Sequence, residues 1–369
     1  MYLSLREIAF AKGRFALIGG VVALITVLLV LLTGLTNGLG HQNTSALERL
    51  DAECIIFSAP TNDTDQPSFT ESGITPDQLA AWRDDVGTGS VERLGVAQSR
   101  AEAAGGGAVG VAVLGLEQDT ALAPDLPALH GRSHPGPGQV VLSETVSDDL
   151  GVRVGQDLTL SSTTLTVAGI TADEHYSHVP VVWATMADFP AIAHLAEGIE
   201  ATALAIPAGT STPDPATTAA TDAMAGTITT DTPGSFAALP AYQSERGSLL
   251  TMQGFLYAIS ALVVVSFLSV WTIQRTREIA VLRALGSSRA YLLRDSLTQA
   301  GIVLALGVVT GGLTGLGGGL AIGAAVPFAL DPATVALPVL GVLVLGLLGA
   351  LLATRRVASV DPLLALGGN

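Results

Sequence analysis

Lysine occurs once in this chain, at Lys12, and cysteine once, at Cys54. A phosphate-binding loop needs a glycine-rich turn ending in Lys-Ser or Lys-Thr, so that the ammonium reaches the nucleotide phosphates. Lys12 is followed by Gly13, so that loop is missing. A lone cysteine excludes an internal disulfide, and Cys54 falls in the apolar run 54–57, which reads as a buried strand. There is no G-x-S-x-G elbow and no H-E-x-x-H helix. The expectation is a chain that is not an enzyme by itself and has no metal site.

Charge is scarce as well. Charged residues make up 13% of the 369 positions, about half the share in an average soluble domain. Mean hydropathy is +0.53. Four stretches, 15–36, 249–272, 301–326 and 335–353, contain no acidic or basic residue. Each is close to the roughly 20 residues that cross a bilayer as a helix. The first exceeds the roughly 7–15 apolar residues of a cleaved signal, so it reads as a retained span. Proton-coupled carriers keep ionisable groups inside their spans, and the absence here argues against that class.

The predicted fold is an α-helical membrane protein with four transmembrane helices plus a mixed α+β extracytoplasmic domain between the first and second spans. That domain is placed at 37–248, with a coupling loop at 273–300, a short outer loop at 327–334 and a tail at 354–369. Residues 1–14 suit either an amphipathic interfacial helix or a basic flank. Arg6, Lys12, Arg14, the loop arginines Arg275, Arg277, Arg283, Arg289 and Arg294, and Arg355 and Arg356 all flank the same side. The positive-inside rule then makes both termini cytoplasmic, in a bacterial plasma membrane. Segment 37–250 holds 27 acidic and 7 basic residues, net −20, which argues against nucleic acid as a partner.

Within the domain, short β-branched or apolar runs bounded by turn residues predict strands at 54–57, 109–114, 139–142, 158–160, 165–170 and 179–183. Helices are expected at 76–85, 144–150 and 214–225. The stretch 173–178 (DEHYSH) has the look of a metal cluster, but its spacing fits a solvated polar turn better. In the third span Gly307, Gly311, Gly315, Gly319 and Gly323 recur every four residues. They form a bare groove for close helix packing, to be filled by the fourth span (Gly341, Gly349) or by a second copy.

The cytoplasmic loop reads IQRTREIAVLRALGSSRAYLLRDSLTQA over 273–300, and the tail reads RRVASVDPLLAL over 355–366. Both closely resemble MacB/FtsX-type ABC transporter permeases, as does VVLSETVSDDLGVRVGQDLTLSSTTLTVAGI over 140–170. The resemblance implies a homodimeric permease that pairs with two copies of a separate ABC ATPase subunit, which binds the ATP, and that works in contact with membrane lipid. It assigns ATPase coupling to Arg275, Arg277, Glu278, Arg283, Leu285 and Gly286. The compact form resembles the HrtB-type heme exporter permeases. Heme is then the expected substrate, and His41, Tyr242, Glu245, Met252 and Tyr257 are candidate binding residues near the outer ends of the first two spans. Peptide antibiotics or lipids are alternative cargoes, and an FtsX-like transmitter acting on a cell-wall hydrolase is the alternative function. Reversing charge at Arg277 and Arg283 together is predicted to abolish cargo-stimulated ATP hydrolysis in the assembled complex, leaving the permease folded by circular dichroism.

Overall fold

A computed structural model describes residues 12–60, 66–87, 89–123, 126–210, 214–240, 242–274, 288–323 and 326–358. The expected coupling residues Arg275, Arg277, Glu278, Arg283, Leu285 and Gly286 lie outside them, as do residues 1–11 and most of the tail. The chain divides into two compact units, Met1–Leu39 with Arg246–Asn369, and Gly40–Glu245.

In the first unit, four helices are long and apolar enough to cross a membrane. They belong to α1 (Lys12–Arg49), α7 (Tyr242–Gln274), α8 (Arg289–Ile322) and α9 (Pro332–Ala358), the numbers between being kept for the helices of the second unit. Lipid offers no hydrophobic drive between apolar helices, so close backbone approach and interhelical hydrogen bonds must hold them together. Both are present. A Cβ added at Gly307 would meet Val22, one at Gly311 the carbonyl of Ala23, and one at Gly315 the Val30 side chain. The glycine groove is therefore filled by α1. This corrects the expectation of the fourth span or a second copy. Gly341 and Gly349 of α9 instead receive Tyr257 and Val265 of α7.

Gly319 has a different occupant. The Phe328 ring, from the short connection between α8 and α9, sits where Cβ atoms of Gly319 and Gly34 would lie. The Ala329 amide donates to the Gly34 carbonyl at 3.1 Å, and Asn37 Nδ2 donates to Thr334 Oγ1 at 3.1 Å. Gly323 does not belong to the groove: it caps α8, and a Cβ there meets only the Gly319 carbonyl. Between α1 and α7, Gln253 Nε2 donates to Thr36 Oγ1 at 3.2 Å.

The second unit is built on one mixed sheet. In chain order its elements are β1 (Ala52–Ser58), α2 (Pro76–Val86), β2 (Glu92–Ala103), β3 (Gly107–Leu116), β4 (Ala128–Gly131), β5 (Gln139–Ser143), α3 (Glu144–Leu150), β6 (Asp157–Leu160), β7 (Thr163–Thr171), β8 (His175–Tyr176), β9 (Val179–Thr185), α4 (Phe189–Ala193), β10 (Ala203–Pro207), α5 (Pro215–Ala225), β11 (Thr227–Asp231) and α6 (Thr232–Ser235). The strands run β11-β1-β10-β2-β3-β9-β5-β7-β4, with β6 bridging β2 and β7 and β8 paired to β9. The pairs β3–β9 and β5–β7 are parallel and the rest antiparallel.

Alternation along the strands sorts the core. Ile55, Phe57, Leu114, Val141, Val181 and Trp183 face one cluster, which also takes in Ala46 and Leu47 from the end of α1 and Leu50 just after it. Val111, Val113, Val140, Leu142 and Val182 face a second cluster on the opposite side. Ile56, Leu204 and Ile206 turn toward Trp82 of α2. A capping box between Thr75 and Gln78, with Pro76 in the first turn, starts α2. Cys54 is buried in β1, and burial pushes its thiol up to about 11.

Two substitutions separate the groove from generic glycine effects. Gly311→Leu should lower the detergent melting temperature by overpacking α1, at a cost of about 1–3 kcal/mol. Gly317→Leu, on the same helix with open space at its Cβ position, should leave the melting temperature nearly unchanged.

Candidate functional site

The apolar run of the first span ends at 36, but the α1 helix continues to Arg49. This continuation carries His41, Asn43, Ser45 and Arg49, and the last three meet the hairpin formed by β8 and β9. The hairpin turn is Ser177-His178, with φ of +50° and +67°. Such a two-residue turn normally uses Asn-Gly, because side chains resist positive φ. The strain is held by docking. The Ser177 amide donates to the Asn43 carbonyl at 3.1 Å and the His178 amide to the Gln42 carbonyl at 2.9 Å. The His175 amide donates to Ser45 Oγ at 2.8 Å.

The docking brings a set of polar side chains together. His178 Nε2 lies 3.0 Å from Glu245 Oε2, and Asn43 Nδ2 donates to the same oxygen at 3.1 Å. Glu174, 2% exposed, accepts from Arg49 Nε at 2.6 Å. Its other oxygen accepts no hydrogen bond among the described residues. Burial pushes His175 below the ordinary imidazole range; Asp173 and Glu174 oppose this, and His41 and His178 add to it. Segment 173–178 is solvated only in part: Asp173 and His178 are exposed, while Glu174 and Tyr176 are buried because the hairpin packs against α1. Among the described residues no group of His, Cys, Asp and Glu has metal-binding geometry.

Of the candidate binding residues, Glu245 belongs to this cluster, and His41, exposed on α1, is near enough to His175 to lower its pKa. Tyr242, on the same helix as Glu245, packs edge-on against Phe236 with ring centres 6.1 Å apart. In the other unit, Tyr257 lies on Gly341 and Met252 is exposed. Asn43, Ser45 and Arg49 were not foreseen, and Glu174 and His178 were read as parts of a polar turn. The available signal was the four-residue spacing of His41, Ser45 and Arg49, which places them on one helix face beyond the end of the apolar run.

Comparison with known proteins gives the architecture a family. Residues 16–223 match the MacB-like periplasmic core domain, and residues 251–362 match the FtsX-like permease C-terminal region. The chain is a MacB/FtsX-type ABC transporter permease. The permease is 23% identical over 376 residues to a Staphylococcus epidermidis protein named as a hemin transport system permease, HrtB, with both chains covered in full. It is 24% identical to a protein of the same name from Staphylococcus haemolyticus, over 100% of this chain and 99% of that one. It is 25% identical to an uncharacterized ABC transporter permease of Mycobacterium bovis, again over 100% and 99%. The solved extracellular domain of the Gram-positive transporter YknZ aligns with a TM-score of 0.36 at 11% identity, covering 48% of the permease and 97% of that domain.

The Arg49–Glu174 pair is directly testable. Arg49→Ala leaves a buried carboxylate unsatisfied and should destabilise the permease by about 1–3 kcal/mol. Adding Glu174→Gln should recover part of the loss, read as melting temperature by intrinsic fluorescence.

Proposed function

We propose that the permease is the membrane subunit of an ATP-driven efflux pump that expels a hydrophobic or amphipathic compound, heme in the first instance, from the outer leaflet. It acts as a homodimer with two copies of a separate ATPase, and both its termini face the cytoplasm. The permease itself hydrolyses nothing. The observation that carries this reading is the Glu245 carboxylate, held by His178 Nε2 at 3.0 Å and by Asn43 Nδ2 at 3.1 Å. Glu245 lies four residues before the apolar run that starts at 249, and His41 lies five residues after the one that ends at 36. Imidazole and carboxylate are groups that meet a ferric porphyrin, whose iron accepts axial ligands and whose ring needs an apolar slot. The full-length likeness to permeases named for hemin transport supports the same cargo.

Spans without ionisable groups make a poor aqueous path. The transport step is therefore mechanical. ATP binding to the partner draws the cytoplasmic ends together through the 275–286 segment, and cargo held at the outer face is displaced. Met252 and Tyr257 would contribute apolar surface rather than charge.

A second reading comes from the FtsX-like match over 251–362: a transmitter that switches a cell-wall hydrolase and binds no small molecule. Gene deletion separates the two. The pump reading predicts growth arrest on toxic heme, rescued by the native gene and not by Glu245→Gln. Full heme tolerance with defective cell separation would instead support the transmitter.

A further inference from the structure

We propose that Asn43 and His178 are positioning residues for the Glu245 carboxylate: they occupy Oε2 and leave Oε1 as the oxygen that meets cargo. This rests on Glu245 being a cargo-binding group. It adds which atom does the binding and what holds it.

Asn43 Nδ2 and His178 Nε2 lie 3.0 Å apart, and each lies within 3.1 Å of Glu245 Oε2. An imidazole nitrogen that meets a carboxylate oxygen at this distance must carry its hydrogen, because the alternative tautomer sets two lone pairs against each other. His178 Nε2 is therefore a donor, as is the Asn43 amide nitrogen. Two donors at 3.0 Å repel unless an acceptor is shared between them, and Oε2 is that acceptor. The hydrogen bonds that Glu245 accepts from Asn43 and His178 both go to Oε2, and its side chain is 38% exposed.

The two donors come from different elements, and both are fixed. Asn43 is 2% exposed on α1. His178 sits at the second left-handed position of a turn whose amides are tied to the Gln42 and Asn43 carbonyls. Strained backbone of this kind persists only where its surroundings over-determine it, and it concentrates at functional sites. Here the strain aims one imidazole nitrogen at one carboxylate oxygen. The titratable groups shown to interact with His178 are Glu245 on α7 and His175 on its own hairpin. Of these, Glu245 is the one it hydrogen-bonds.

The test is a spectral titration of the full-length permease in lipid nanodiscs with heme. Asn43→Ala and His178→Phe should each weaken heme binding by about tenfold, and His178→Gln, which keeps a donor, should restore it to within about twofold. In the Glu245→Gln background neither substitution should weaken the residual binding further, since both act through that carboxylate. Equal losses with and without Glu245 would reduce Asn43 and His178 to structural supports and overturn the proposal. Unchanged heme binding by Glu245→Gln alone would instead remove the cargo role of Glu245 itself. If His178→Phe does not fold, Asn43→Ser, which withdraws the amide donor, measures the same coupling.

Discussion

One carboxylate oxygen, Oε2 of Glu245, joins three separate parts of the outer unit. Asn43 comes from the continuation of α1, His178 from the β8–β9 hairpin, and Glu245 from the first turn of α7. Without a shared acceptor, the two donor nitrogens would have no reason to approach one another. The turn that delivers His178 would also have no compensation for its two left-handed residues beyond its backbone bonds to α1. The neighbouring Arg49–Glu174 pair secures the base of the same hairpin. Polar side chains thus meet where the chain enters and leaves this unit.

The membrane unit obeys a different constraint. Lipid gives helices no hydrophobic reason to associate, so specificity must come from shape and a few hydrogen bonds. The glycines of α8 admit α1 at backbone distance, and Phe328 closes the outer part of that seam against Gly34 and Gly319. The short connection after α8 is consequently part of the packing. Large apolar side chains on α7, including Phe255, Ile259 and Leu262, stay exposed. This is the expected state of a helix whose solvent is hydrocarbon.

How much of this could be read beforehand depends on where the information sits. Uncharged runs of bilayer length announced the four helices, and β-branched runs announced β1, β5, β7 and β9. The strand β2 stayed hidden. Its sequence ERLGVAQSRAEA has little β-branched character, and its pairing comes from a ten-residue register with β3. β10, ALAIP, was hidden for a related reason: alanine packs well in a buried strand without favouring one. The glycine repeat of α8 showed that a groove exists but not which helix enters it, since that choice lies in Val22, Thr26 and Val30 of a distant segment. His41 and Glu245 were named from their distance to the spans. Asn43 and the Arg49–Glu174 pair were not named, because the end of α1 and the β8–β9 hairpin lie more than a hundred residues apart and meet only in the fold.

The central claim is that energy harvested by a separate subunit moves cargo held at this outer cluster. Sealed proteoliposomes containing the permease and its ATPase, preloaded with membrane-bound heme, test it most directly. With the nucleotide-binding face outward, ATP added to the bath should drive heme to apomyoglobin enclosed in the lumen, faster than passive partition. Equal transfer rates with ATP, without ATP and without the permease would contradict the account.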